Sequence, residues 1–225
     1  MRKISTYMWI NFFIFFFPFL SAIVFFRFFF KDIVAFFISF FVVGIFFIIW
    51  DSFFTTKDVW EFNEKHVMKL RIFNLPVEEI IFFITAPFGC IFIFSIMEIF
   101  FKDSVFETIL LKYLFIFISV CFIIAGIFLR KKIYTFVVFM LTGISTFLFV
   151  IAEIFFYKKF IFAMLISYVP FLVFNGILTT LPVVKYNKNH IIGLRIINIP
   201  LEDFFYNFIM IGWYFFFFNI FSKIL

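Results

Sequence analysis

Seven almost unbroken apolar stretches run along the chain, at roughly 8–30, 32–50, 77–100, 109–129, 133–156, 160–181 and 200–221. About 20 such residues suffice for a helix to cross a bilayer's hydrocarbon, so each stretch predicts a membrane span. Polar residues collect between them. The longest polar stretch, DSFFTTKDVWEFNEKHVMKLRIFN, follows the second span, and VVKYNKNHIIGLRIIN follows the sixth. The fold class predicted is all-α: a polytopic membrane protein of about seven transmembrane helices.

The two polar stretches are copies. A shift of 124 residues lays 51–79 on 175–203 without a gap and gives 11 identities in 29 positions. They are Thr55/Thr179, Thr56/Thr180, Val59/Val183, Asn63/Asn187, His66/His190, Leu70/Leu194, Arg71/Arg195, Ile72/Ile196, Asn74/Asn198, Pro76/Pro200 and Glu78/Glu202. Most are polar or special residues that apolar composition alone would not match, so the chain carries an internal repeat. The same shift lays spans one to three on spans five to seven and leaves the fourth as a linker. Three spans would invert the second copy and a fourth restores its direction, so the repeats are expected to be parallel, with both polar loops on one side. The expected divisions are 1–106, a linker helix at 107–131, and 132–225.

Composition agrees with a bilayer protein: 66% of residues are hydrophobic and 14% charged, against about a half and a quarter in soluble domains. The 51 phenylalanines fit either a coding bias or an aromatic-lined cavity. Cys90 and Cys121 lie inside apolar runs and read as small hydrophobes. The net charge of +6 sits at segment ends, which suits membrane orientation and excludes a nucleic-acid partner. The first apolar run, after Arg2 and Lys3, is longer than a signal segment and no small-residue cleavage site follows it, so a retained helix is expected. With the N-terminus in the cytoplasm, 12 of the 19 Lys and Arg lie inside and seven outside, Arg27 among the latter. Orientation in a cell (inner) membrane with both motif loops cytoplasmic follows.

Each copy opens a span with paired acids: NLPVEEIIFF (74–83) and NIPLEDFFYN (198–207). Asn74 is a candidate helix cap, and Pro76 suits the first turn. Glu78 and Glu79, like Glu202 and Asp203, would then favour the helix dipole, which is one sufficient reason for them. The other reason is chemistry. Ionisable groups at membrane depth mark functional sites, and carboxyls held in apolar surroundings or near one another can stay protonated, as a general acid must. Adjacent helix positions point about 100° apart, so one acid of each pair can easily face a shared cavity. His66 and His190 precede the glutamates by 12 residues, off any helical spacing for a metal site, and read as loop residues; no metal is expected. Arg71 and Arg195 read as interface anchors or as partners of a nearby Glu. No dinucleotide, P-loop, aspartate-rich diphosphate or serine-nucleophile pattern occurs.

Two copies of P-x-E-[ED] followed by aromatics, PVEEIIFF and PLEDFFYN, each opening a membrane helix in a protein of two three-helix repeats, resemble the membrane-integral lycopene cyclases. The resemblance covers nearly the whole chain. Asp203 and Asn207 depart from the first copy's Glu79 and Phe83. The resemblance implies lycopene or a similar C40 polyene as substrate and the bilayer as its source. The activity it implies is that of a lycopene beta-cyclase. An acid protonates the terminal double bond, the cation closes a ring, and proton loss leaves a β-ionone end. Because this is an isomerisation, no cofactor is implied. Acid candidates are Glu78 and Glu202, identical in both copies, with Glu79 and Asp203 as partners or bases. Trp60, Phe82, Phe204, Phe205, Trp213 and Tyr214 are candidate lining residues, since aromatic faces stabilise cations and exclude water.

A small two-repeat transporter would also explain acids in the membrane. Its spans should be interrupted by polar residues near the midplane, and here Pro18 and Pro170 are the exceptions in otherwise apolar runs. A lipid-binding subunit without chemistry is a third reading, and self-association stays open.

Overall fold

The computed structural model describes residues 4–25, 32–102, 104–106 and 109–225; Arg2, Lys3 and Arg27 lie outside them. Seven helices of the described residues are long and apolar enough to cross a membrane: α1 (Thr6–Val24), α2 (Ile33–Thr56), α3 (Val77–Phe101), α4 (Ile109–Phe128), α5 (Ile133–Ile151), α6 (Lys158–Thr180) and α7 (Leu201–Ile224). The protein is a multi-pass membrane protein. Its apolar runs are unbroken because a bilayer offers the backbone no water, and a helix satisfies every peptide group within itself.

Three span ends differ from expectation by about five residues or more. The first span ends at Val24 rather than near residue 30. The second span runs on past residue 50 to Thr56, through Asp51. The fifth stops at Ile151, and a 3-10 turn, Ile154–Phe156, follows it. Within α2 a π-helical turn, Phe40–Gly44, interrupts the α-helix. Gly44 faces the Tyr214 hydroxyl there, and an added Cβ would come within 2.6 Å of that oxygen.

The helices pack reciprocally. In each repeat the first helix lies on the third, α1 on α3 and α5 on α7. Across the repeats, α2 packs on α7 and α6 on α3, as a two-fold-like arrangement requires. The linker α4 packs on α5, where Ser119 Oγ donates to the Gly143 carbonyl at 2.7 Å. In α4 only Ser119 and Gly126 are buried.

The two motif loops meet at one end of the bundle. Strands β1 (Trp60–Phe62) and β4 (Val184–Tyr186), one from each loop, pair antiparallel. Asn63 N–H donates to Val183 O and Asn187 N–H to Val59 O, both at 2.9 Å. Two of the residue pairs shared by the copies are therefore the contacts that join the copies.

Each loop then folds into a short hairpin, β2–β3 (Arg71–Ile72 with Leu75–Pro76) and β5–β6 (Arg195–Ile196 with Ile199–Pro200). Phe73 and Asn74 turn the first with φ of 50° and 65°, the conformation a two-residue hairpin loop requires and Asn tolerates. Asn74 is thus a turn residue, and Pro76 occupies the cap position of α3. Asn198 stands in the second hairpin, its amide donating to Thr180 Oγ1 at 3.1 Å.

Candidate active site

Each hairpin delivers its two acids to the first turn of a helix, α3 or α7, where all four are buried. The pairs then part. Glu78 Oε1 accepts from the Met68 N–H at 2.6 Å and from the Ser5 hydroxyl. Glu202 Oε1 accepts from the Ile192 N–H at 2.7 Å and from Thr135. These two glutamates staple their own loop to the first helix of their own repeat. The histidines join the same staple through their backbone: His66 O accepts the Tyr7 N–H and His190 O the Tyr134 N–H, at 3.1 and 3.0 Å. The His66 Nδ1 lies 3.1 Å from Thr6 Oγ1. Arg195 reaches the Asn198 carbonyl at 2.6 Å.

Glu79 and Asp203 turn the other way, into a cavity of about 80 Å³ between the repeats. Tyr7 donates to Glu79 Oε2 at 2.7 Å. Asp203 takes three donors: Tyr134 at 2.9 Å, Asn175 at 3.0 Å and Tyr186 at 2.7 Å. Tyr186 lies in β4; burial, with the Asp203 carboxylate beside it, pushes its phenol well above the ordinary range, so it stays a donor. A third carboxyl, Asp51 of α2, lines the same cavity. It is 5% exposed, accepts from Tyr206 at 2.8 Å, and lies within hydrogen-bonding reach of Glu79.

Of the aromatic residues expected to line a site, Trp60 and Phe82 do so. Phe204 is one ring further out, against Tyr168 and Phe171. Phe205 packs with Phe122 and Phe139 on the linker side, and Trp213 donates to Ser145 among the rings of α5. Tyr214 is fully buried, and its hydroxyl reaches the Phe83 carbonyl at 3.0 Å. Sequence reasoning missed Asp51, Asn175 and the four tyrosines Tyr7, Tyr134, Tyr186 and Tyr206.

An apolar groove of about 280 Å³ adjoins the cavity and shares Phe82, Phe171, Asn175 and Asn207 with it. It runs between α1, α3 and α6, past Phe13, Phe17, Pro18, Ala86, Gly89 and Pro170. Phe13 and Phe17 are exposed, on the face the bilayer would cover. At its floor Gly89 closes on Pro18, whose Cγ an added Cβ would approach to 3.1 Å. A polar, acid-lined cavity thus lies beside an apolar groove.

The sequence profile of the lycopene cyclases matches the chain over residues 4–97 and 131–221. The chain belongs to the lycopene cyclase family. The two matched stretches cover α1, α2 and most of α3, then α5, α6 and most of α7, and with them every acid of the cavity. No individual curated protein and no solved structure matches the chain. Membership in a lycopene cyclase family supports a carotenoid cyclase and a lipophilic polyene as its substrate class.

Proposed function

We propose that the protein is a lycopene beta-cyclase that closes the open ψ ends of lycopene, or a related C40 polyene, into β-ionone rings. The observation that carries this reading is the meeting of one carboxyl from each repeat, Glu79 and Asp203, in a small cavity that adjoins an apolar groove. The polyene enters from the bilayer along the groove with its terminal double bond foremost. A carboxylic acid protonates that bond, an internal double bond attacks the cation, and a carboxylate removes a ring proton. One proton enters and one leaves, so substrate and product are isomers.

In this reading Glu79 and Asp203 are the reacting groups, and Glu78 and Glu202 tie the loops to the first helix of each repeat. Trp60 and Phe82 present rings to the cation. The loop layer above, β1 with β4, excludes the water that would trap the cation as an alcohol. The loops face the cytoplasm of a cell membrane in the orientation that the Lys and Arg distribution favours.

A lycopene-accumulating bacterial host expressing the protein tests the reading by chromatography of its pigments. The expected result is conversion to γ- and β-carotene. Unchanged lycopene, with the protein present in the membrane fraction, would contradict it and leave carriage or binding of a lipid as the alternative.

A further inference from the structure

The two halves of the site share a plan, and one pair of positions at which they differ separates a carboxyl from an amide. Each has an acid at the start of its third helix and a tyrosine from its first: Glu79 with Tyr7, Asp203 with Tyr134. The 124-residue shift that relates the loops also lays Asp51 on Asn175, each in the second helix of its repeat. Both line the cavity. In the first repeat, therefore, the acid has a carboxyl neighbour; in the second, it has an amide that donates to it.

This difference separates the protonation chemistry of the halves. Two buried carboxyls within hydrogen-bonding reach repel one another strongly when both are ionised, and sharing a proton relieves that repulsion. Asp203 has three neutral donors directed at its oxygens and lone pairs to receive them, the arrangement that suits a carboxylate. Resting on the cyclase reading, we propose that the Asp51–Glu79 pair supplies the proton to the terminal double bond and that Asp203 receives the ring proton. Asp51 acts through Glu79, as the neighbour that keeps a proton on it.

The proton ledger closes. Glu79 gives its proton to the alkene carbon and is left as a carboxylate beside Asp51. Ring closure moves the positive charge inward, and loss of a ring C–H proton to Asp203 restores a double bond. Asp203 then returns a proton across the cavity to the Asp51–Glu79 pair.

The test uses full-length protein in membranes supplied with lycopene, with initial rates normalised to protein amount. Asp51→Asn is close to isosteric and removes the shared proton; the expected loss is about 100-fold. Asp51→Glu restores a carboxyl and is expected to recover most of the rate. The exchanged variant Asp51→Asn with Asn175→Asp moves the carboxyl pair to the other repeat and is expected to regain activity over Asp51→Asn alone. Asp51→Asn turning over at the wild-type rate, or Asp51→Glu as inactive as Asp51→Asn, would overturn the proposal while the cyclase reading stands. A wild-type protein that leaves lycopene unchanged would overturn the cyclase reading and this proposal with it.

Discussion

Within each motif two adjacent carboxyls point about 100° apart on one helix turn, and the two layers they form contrast in use. The outer layer, Glu78 and Glu202, is the same in both repeats: a loop N–H and a hydroxyl from the first helix meet one carboxyl oxygen. The inner layer, Glu79 and Asp203, is where the repeats diverge, in the acids themselves and in the Asp51 and Asn175 beside them. The acids identical between the copies thus hold the loops, and the acids that differ line the cavity. On the proposed reading, two halves facing one substrate need not do the same thing.

Substitutions can break that contrast. The largest effect is expected in the inner layer: Glu79→Gln or Asp203→Asn should lower cyclisation by at least about 100-fold, measured as pigment conversion, with the thermal transition of the purified protein little changed. The outer layer should show the reverse. Glu78→Leu leaves the Met68 N–H and the Ser5 hydroxyl without their acceptor, at a cost of about 3 kcal/mol. It should lower the melting temperature and the amount of protein in the membrane, while the rate per folded molecule holds. Smaller still, Tyr206→Phe removes one bond to Asp51, worth about 1 kcal/mol, or roughly a fivefold change in rate. Ala86→Phe would fill the groove without touching an acid and should raise the lycopene concentration needed for half-maximal rate while stability holds.

The spans, the repeat and the meeting of both loops on one side were legible because each rests on a periodic or duplicated signal: long apolar runs, and 11 shared residues at one shift. The bonds that join the loops are backbone bonds of Asn63 and Asn187, which shared side chains do not announce. Asp51 was hidden by its place at the edge of an apolar run. Read alone, it ends the second span, whereas burial against Tyr206 lets the helix carry it to Thr56. Tyr7 and Tyr134 were hidden by a register change. They take the same place against His66 and His190, yet the first repeat has three more residues between tyrosine and histidine, so a single shift does not align them. The choice between Glu78 and Glu79 turns on helix rotation set by the hairpins. Phe73 and Asn74 at positive φ fix how α3 enters the membrane, and no local propensity reports that.

The most direct test of the central claim compares neighbours. Glu79→Gln and Glu78→Gln would be expressed side by side in a lycopene-accumulating host, and cyclic carotenoid measured by chromatography relative to the protein in the membrane. The account predicts that Glu79→Gln leaves lycopene unconverted while Glu78→Gln still forms rings in proportion to the protein that survives. Ring formation by Glu79→Gln at the wild-type level, or its complete loss in Glu78→Gln with protein present at the wild-type amount, would contradict it.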